Sequence, residues 1–311
     1  MSEVVLEAKG LTKVYGDLTA VDHIDLQVFA GEVYSMLGPN GAGKTTTVEI
    51  LEGLRDQTSG EATVLGLDLK KAYTKVRSKV GVLPQLFEPW DNLRPPEAVS
   101  YWAALFGRKM DMKEIKGLLE VVGLADKDKV LGQRLSGGEK RRLGIAMALV
   151  GNPELIFLDE PTTGLDPQAR RGLWEVIRAL RKAGKTIFLT THYLEEAQEL
   201  ADRVAIMNRG KIVASGSPDE LITLHGGGTT LILKGAGEDG IKALERIGLQ
   251  GQLDRYDVQV SVPPLRRTKD VLADITRANI PFKDIDTKKP TLEDVFFNLV
   301  GGRLVEGVVK P

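Results

Sequence analysis

The sequence predicts an α/β fold with a largely parallel main sheet, followed by a smaller C-terminal α/β domain. Short apolar segments alternate with amphipathic ones along most of the chain, which is the pattern of strands joined by helices. One strand, 33–37, runs directly into a glycine-rich loop and then a helix. A second apolar strand, 155–158, ends in two adjacent carboxylates. In a parallel sheet we expect both strand ends at the edge where such folds bind ligands.

The elements of the first part can be assigned in chain order. Strands are predicted at residues 4–8, 24–29, 33–37, 61–65 and 79–83, with a helix at 45–54 after the glycine loop. Residues 95–149 have helical periodicity, and we assign about 86–150 to a helical subdomain. Strands return at 155–158, 186–190 and 204–208, with helices at 169–182 and 194–200.

A domain boundary is predicted at the glycine run 226–228, which separates a first domain at 1–225 from a second at 229–311. The second domain has predicted strands at 229–234, 256–262 and 282–286 and helices at 238–247 and 268–279. A final helix is expected to begin at Thr291, where Thr-Leu-Glu-Asp forms a capping box after Pro290.

Composition narrows the possible functions. The 311 residues carry 42 Lys and Arg against 43 Asp and Glu, so the formal charge of −1 gives no overall attraction to nucleic acid or anionic lipid. The absence of cysteine excludes disulfides, thiolate metal sites and cysteine nucleophiles. The longest uncharged apolar stretch, 143–151, is about half of the roughly 20 residues needed to span a bilayer. The N-terminus does not resemble a secretory signal. We therefore expect any membrane association to be peripheral.

The glycine-rich loop has the pattern G-x-x-x-x-G-K-[ST] of a phosphate-binding loop. Its glycines allow backbone N–H groups to turn inward and approach phosphate oxygens. Lys44 is expected to reach the β and γ phosphates, and the Thr45 hydroxyl to bind Mg²⁺. The predicted nucleotide-binding residues here are Gly38, Pro39, Asn40, Gly41, Ala42, Gly43, Lys44, Thr45 and Thr46.

An acidic pair, Asp159-Glu160, complements this loop. Because the strand before it is apolar, the carboxylates are exposed only at its tip, where Mg²⁺ can offset their charge. Asp159 is predicted to hold the metal. Glu160, one residue further on, is predicted to accept a proton from the attacking water.

These elements resemble those of ATP-binding cassette (ABC) ATPases over about residues 4–225. Leu135-Ser-Gly-Gly-Glu139 is similar to the family's signature, and residues 164–167 are similar to its D-loop. Gln85 resembles the Q-loop glutamine, His192 the switch histidine and Tyr15 the aromatic residue that stacks on adenine. The resemblance implies a P-loop NTPase cassette with an antiparallel β subdomain and a helical subdomain, using ATP and Mg²⁺.

The resemblance also implies a role for each motif. Glu160, His192, Lys44 and Gln85 are the expected catalytic residues, and Thr45, Gln85 and Asp159 the expected metal ligands. Cassettes of this family dimerise head to tail, so the signature of one chain closes over ATP held by the other. The residues expected to act in trans are Ser136, Gly137, Gly138 and Glu139, with Asp166 in the D-loop.

A second cassette, most simply another copy of this chain, is therefore an expected partner. For the work that ATP drives, we weigh transport through a separate polytopic membrane subunit against a soluble ABC ATPase acting on nucleic acid or ribosomes. The neutral charge, the single cassette and the lack of cysteine favour transport, so no nucleic-acid partner is expected. Transport would place the chain in the cytoplasm, peripheral on the inner face of the cell membrane.

Two further patterns support export. Aromatic residues are concentrated in and before the helical insert and could line a groove for a membrane subunit: Phe87, Trp90, Tyr101, Trp102 and Phe106. The segments 190–197 and 291–296 resemble those of drug-resistance ABC-2 exporter ATPases. In that interpretation the C-terminal domain steadies or regulates the cassette dimer. Prolines at 89, 95 and 96 depart from the family pattern and should delay the helix after Gln85.

Overall fold

The computed structural model describes residues 3–262 and 266–310, and its contacts divide the chain into two compact units. One contains the chain up to Pro218 together with Leu304–Lys310, and the other runs from Asp219 to Arg303. The sequence places the boundary later, at 226–228. The division falls earlier because the carbonyl of His225 accepts a hydrogen bond from the side chain of Asn298, at 2.8 Å. The predicted domain ranges also include residues 1–2, 263–265 and 311, which lie outside the described residues.

The first unit begins with a strand-rich half. In chain order its elements are β1 (Val4–Tyr15), β2 (Leu18–Phe29), β3 (Val33–Leu37), α1 (Lys44–Leu51), β4 (Ser59–Val64), β5 (Leu67–Asp68), α2 (Leu69–Arg77) and β6 (Val80–Leu83). The rest are α3 (Pro95–Leu105), α4 (Met112–Val121), α5 (Gly137–Ala148), β7 (Leu155–Asp159), α6 (Pro167–Lys182), β8 (Thr186–Thr191), α7 (Leu194–Leu200), β9 (Arg203–Asn208) and β10 (Lys211–Gly216).

The main sheet confirms the predicted parallel arrangement. Its strand order is β10-β9-β3-β8-β7-β6, and all neighbours are parallel except the β9–β10 pair at one edge. Leu37 pairs with Thr191, and Asp159 with Thr190. The ends of β3, β7 and β8 are therefore adjacent, which brings together the glycine loop, the acidic pair and the histidine that follow these strands.

A second, antiparallel sheet has the order β2-β1-β4-β5 and forms the expected β subdomain. Its first two strands are twelve residues each, longer than the predicted segments 4–8 and 24–29. The pairing continues through register shifts, and Gly10 and His23 adopt positive φ values of 55° and 50°. These irregularities break the alternation of apolar and polar residues, so the sequence pattern reveals only part of each strand.

The helical subdomain is present as α3, α4 and α5. Helix α3 begins at Pro95 as the proline pattern predicts, and the backbone N–H of Arg94 donates to the Glu97 carboxylate at 2.8 Å. The sequence does not predict α2, β5 or β10. Strand β10 follows a two-residue turn at Arg209 and Gly210, where both φ values are positive, and its Lys211 and Ser215 obscure the strand pattern.

The strands that carry the site are held by a close-packed aromatic layer. All five residues of β3 and of β7 are buried. The ring of Phe188 in β8 lies 5.5 Å from that of Phe157 and 5.3 Å from that of Tyr34, between centroids. Burying each such ring contributes about 1.5–3 kcal/mol. The strand ends are thereby fixed relative to one another.

The second unit is an α/β structure, as expected. Its elements are α8 (Pro218–His225), β11 (Thr230–Lys234), α9 (Gly237–Arg246), β12 (Gly251–Asp254), β13 (Asp257–Ser261), α10 (Thr268–Arg277), β14 (Asp284–Lys288) and α11 (Leu292–Val300). The antiparallel sheet has the order β12-β13-β11-β14. The capping box at Thr291 is present, since its backbone N–H donates to Asp294 at 2.8 Å.

A hairpin follows the second unit and was not predicted from the sequence. It consists of β15 (Arg303–Val305) and β16 (Val308–Lys310), joined at Glu306 and Gly307. Residues 304–310 belong to the first unit by their contacts. Across residues 3–262 and 266–310, none of the helices has the length and apolar character needed to cross a bilayer.

Candidate nucleotide site

The glycine loop connects β3 to α1 in a conformation that requires glycine. Gly41 and Gly43 have φ values of 76° and 108°, which residues other than glycine rarely adopt. A Cβ added at Gly43 would lie 2.3 Å from the carbonyl oxygen of Ala20, and one at Gly38 would lie 2.3 Å from that of Met207. The loop is thus pressed against β2 and β9, and Lys44 begins helix α1. This is the strand, loop and helix arrangement that binds phosphates.

Lys44 folds back across its own loop. Its ammonium group donates to the carbonyl oxygens of Gly38 and Pro39, at 2.9 and 3.1 Å, and lies 3.2 Å from a carboxylate oxygen of Glu160. Burial lowers the pKa of Lys44, and the charge of Glu160 partly opposes that shift. The lysine therefore spans the loop and the acidic pair, where the phosphates of a nucleotide are expected.

Asp159 occupies the tip of β7 next to two hydroxyl groups. Thr190 donates a hydrogen bond to its carboxylate, and Thr45 at the start of α1 is also hydrogen-bonded to it. Burial raises the pKa of Asp159, the Thr190 bond opposes that rise, and the neighbouring Glu160 charge adds to it. The carboxylate and the Thr45 hydroxyl are hard oxygen donors, which are the ligands that Mg²⁺ prefers.

Glu160 lies at the centre of the site. Its carboxylate is contacted by His192 Nδ1 at 3.1 Å, Gln85 Nε2 at 3.2 Å and Thr163 Oγ1 at 3.1 Å, besides Lys44. Burial disfavours its charged form, but the His192 bond and the Lys44 charge outweigh this and lower its pKa to about 2. Its φ of 46° is unusual for a residue other than glycine. Glu160 is therefore an ionised carboxylate held in a constrained backbone position.

His192 and Gln85 reach Glu160 from two different strand ends. His192 follows β8, is 7 % exposed and lies against the ring of Tyr193, with 4.2 Å between ring centroids. Gln85 follows β6, which lies next to β7 on the side away from β8. The structure thus brings together the four residues that the sequence assigns to catalysis: Lys44, Gln85, Glu160 and His192.

Arg141 is a residue that sequence analysis did not assign to the site. It lies on α5, and its guanidinium group donates to the backbone carbonyl of Gln85 at 2.6 Å and to that of Pro84 at 3.3 Å. Burial lowers its pKa. A run of basic residues at 140–142 usually indicates a solvated helix face. Here the middle residue instead fixes the loop that carries Gln85.

The close approach of α5 to this loop depends on a glycine one turn further along. A Cβ at Gly144 would lie 2.5 Å from the side chain of Leu83 and 2.9 Å from that of Phe87. Lys140, on the same helix, pairs with Glu88 at 2.8 Å. Helix α5 therefore holds the segment on both sides of Gln85.

The signature residues form the N-terminus of α5. The Ser136 backbone N–H donates to the Glu139 carboxylate at 2.8 Å, and the Glu139 N–H donates to Ser136 Oγ at 3.3 Å. Ser136 and Gly137 are exposed, while Gly138 packs against Ala169 of α6. These residues cap their own helix and leave its N-terminus accessible.

The remaining two assigned positions lie at exposed edges. The carboxylate of Asp166 accepts hydrogen bonds from the N–H groups of Gln168 and Ala169, both at 2.9 Å, and so caps α6. The ring of Tyr15 is partly exposed, with Lys13 Nζ at 5.1 Å and Arg55 Cζ at 5.5 Å from its centroid. The roles of Tyr15 in adenine stacking and of Asp166 in the D-loop remain predictions.

A parallel sheet with a glycine loop, an acidic strand tip and a histidine at the next strand end defines an ATPase of the P-loop cassette class. Residues 21–163 match the family model described as ABC transporter. The chain is 36 % identical over 308 residues to the daunorubicin resistance ATP-binding protein DrrA3 of Streptomyces coeruleorubidus, covering 97 % of each protein. It is 33 % identical over 309 residues to the linearmycin resistance ATP-binding protein LnrL of Bacillus subtilis, covering 96 % of this chain and 99 % of that protein.

A third relative is the Nod factor export ATP-binding protein I of Ralstonia nicotianae, 38 % identical over 314 residues, with 96 % of this chain and 95 % of that protein covered. Among solved structures, a dimeric post-hydrolysis state of the cassette MJ0796 bound to ADP and Pi matches with a TM-score of 0.61 and 27 % identity. That match covers 68 % of this chain and 98 % of the cassette. The chain belongs to the ABC transporter family, as one of its ATP-binding proteins, and this confirms the predicted fold and ATPase class.

Proposed function

We propose that this chain is the ATP-hydrolysing subunit of an ABC exporter, which drives a separate membrane subunit by closing with a second cassette around ATP. The observation that carries the hydrolytic part is the convergence of Lys44, Gln85 and His192 on the Glu160 carboxylate. The export part is supported by relatives named for antibiotic resistance and Nod factor export, over nearly the whole chain. The alternative, work on nucleic acid or ribosomes, has no comparable support.

In this proposal ATP binding rearranges the Lys44 contacts. The ammonium group leaves Glu160 and its own loop carbonyls for the β and γ phosphates, which carry more negative charge. Glu160 is then free to accept a proton from the water that attacks the γ-phosphorus. His192, 3.1 Å from Glu160, orients the reacting groups or stabilises the transferring phosphoryl group. Catalysis here is mainly positioning and electrostatic stabilisation.

Mg²⁺ fits the donor set beside this carboxylate. Thr45 supplies a hydroxyl and Asp159 a carboxylate, and the two already share a hydrogen bond. Gln85 would add its amide oxygen after releasing Glu160. When bound together with the nucleotide, Mg²⁺ would need few protein ligands and would supply charge neutralisation during phosphoryl transfer.

We propose a homodimer in which the second copy completes each site. Ser136 and Gly137 are exposed at the N-terminus of α5, whose positive end favours a phosphate group. Gly138 and Glu139 shape this end through close packing and the capping box. One chain would thus provide Lys44 to one site and Ser136 to the other, with Asp166 near the junction.

The membrane subunit is proposed to dock in a groove of about 540 Å³ next to the helical subdomain, which would place the chain on the cytoplasmic face of the membrane. Trp102, Phe106 and Met147 give the groove an apolar wall, and Glu52 and Arg77 add polar groups. Trp102 contacts Phe106 and Trp90, with ring centroids 5.4 and 6.2 Å apart. Such an aromatic surface suits a short helix of a partner protein.

The experiment is transport by vesicles that contain the chain and the membrane protein with which it co-purifies. We expect ATP-dependent export that is lost with Glu160→Gln while the complex remains assembled. Glu154→Gln, an exposed change just before β7, serves as the matched control. ATPase stimulation by DNA or ribosomes, without co-purification of a membrane protein, would contradict the proposal.

The second unit is proposed to stabilise or regulate the dimer.

A further inference from the structure

The C-terminal hairpin contacts the phosphate loop directly. The backbone N–H of Asn40, the third residue of the loop, donates a hydrogen bond to the carbonyl oxygen of Gly307 at 2.6 Å. Gly307 lies at the tip of the hairpin and is buried, although its neighbours Glu306 and Val308 are exposed. The hydrogen bond to the loop is therefore made by the tip of the hairpin.

The fit between tip and loop is close. A Cβ added at Gly307 would lie 2.5 Å from Nδ2 and 2.6 Å from Cγ of the Asn40 side chain. Glu306 and Gly307 have φ values of 48° and 79°, as in the two-residue turns that join tight hairpins. A side chain at this position would add backbone strain and would have to displace the side chain of Asn40. The tip is shaped to lie on the loop.

The hairpin has few features of its own that would hold it in place. It has only two short strands, and an isolated two-stranded hairpin is marginally stable in water. Val305 and Val308 are 41 % and 54 % exposed, so little apolar surface anchors it. A ligand that competes for the loop could therefore displace it.

We propose that residues 303–310 form an autoinhibitory cover over the phosphate loop, which must be displaced before the loop closes on ATP and a second cassette. The Gly307 carbonyl oxygen carries partial negative charge. It accepts a hydrogen bond from a backbone N–H group of the loop, as a phosphate oxygen would. Hairpin and nucleotide therefore compete for the loop. A protein whose competent form is only partly populated binds its ligand more weakly in proportion to that fraction.

This proposal needs only nucleotide binding and goes beyond the transport function, so failure of one leaves the other standing. The test compares fluorescent ATP-analogue binding by the full chain, a truncation that ends at Gly302, and Gly307→Val, which adds strain and a clash with Asn40. Gly248→Val is the matched control, because Gly248 has a similar φ of 73° but open space around it. Amide exchange across 303–310, with and without ATP, provides an independent readout of the hairpin.

We expect the truncation and Gly307→Val to bind the analogue about threefold to tenfold more tightly, and the control to match the full chain. Exchange in the hairpin should accelerate when ATP binds. Equal affinity in the truncation, or hairpin protection that ATP does not change, would overturn the proposal. An affinity gain that depends on protein concentration would assign the hairpin to a second copy and would also overturn it.

Discussion

The ammonium group of Lys44 lies 3.2 Å from the carboxylate of Glu160, and both side chains are almost completely buried. The residue expected to hold the phosphates is thus paired with the residue expected to activate water. An ion pair of this kind costs desolvation energy that its partners must offset. Replacing either member leaves the other buried without its counter-charge. Loss of Lys44 should weaken phosphate binding, and loss of Glu160 should impair the activation of water.

Replacing Lys44 by alanine should abolish most nucleotide affinity. The variant loses the only ammonium group that spans the loop carbonyls and Glu160 in the described site, and with it the charge-assisted contact to phosphate. We expect at least a tenfold increase in the Kd for MgATP, measured by fluorescent-nucleotide titration. Lys116→Ala, an exposed change on α4, is the control. Unchanged affinity in Lys44→Ala would argue against the phosphate-binding role of the loop.

Replacing Glu160 by glutamine should separate binding from hydrolysis. Glutamine keeps the shape of the side chain but cannot accept the proton of the attacking water. We expect turnover to fall by a factor of about 10² or more, with ATP binding retained, as measured by phosphate release and nucleotide titration. Glu154→Gln should leave both quantities near wild type. Turnover within threefold of wild type would remove Glu160 from the role of base.

Arg141 offers a test of positioning from outside the reacting groups. Lysine at this position keeps the charge but loses the geometry that reaches two carbonyls at once. Since Gln85 would then be less well placed against Glu160, we expect kcat for Arg141→Lys to fall about tenfold with KM little changed. Arg142→Lys is the neighbouring control. A change in KM with kcat unchanged, or equal effects of both substitutions, would contradict this role.

Glu52 should impose a pH dependence on stability. It is 4 % exposed at the C-terminus of α1, and burial, with smaller contributions from Asp159 and Glu49, raises its pKa to about 8. A carboxyl whose folded pKa exceeds its unfolded value of about 4.5 stabilises the fold fully below that value. The free energy of unfolding should therefore fall as pH rises from about 4.5 to 8, by several kcal/mol at most.

The measurement for Glu52 is urea unfolding between pH 5 and 8 without nucleotide. Glu52→Gln should flatten the fall, because a neutral amide has no proton to lose. Glu49→Gln, which changes a carboxylate on the same helix that pairs with Arg55, should keep most of the fall, because Glu49 makes only a smaller contribution to the raised pKa of Glu52. A pH dependence that is identical in wild type and Glu52→Gln would show that Glu52 is not the responsible group.

The main sheet and its site could be predicted because their signals are local. An apolar strand followed by a glycine loop or two acids is visible within about ten residues, as for Lys44 and Glu160, whereas Gln85 and His192 are assigned through the resemblance to ABC ATPases. The bond between Arg141 and Gln85 joins residues 56 positions apart and depends on how closely α5 approaches β6. The hairpin contact depends on where the chain returns after the second unit. No local pattern encodes either distance.

In the proposed homodimer, one chain supplies Lys44 to one site and Ser136 to the other. Lys44→Ala and Ser136→Arg should each be inactive alone, because both sites of either homodimer carry the defect. Mixing the two should restore ATPase activity to about a quarter of the wild-type rate, since half of the dimers are mixed and each has one intact site. A mixture no more active than the separate variants would contradict the shared-site account.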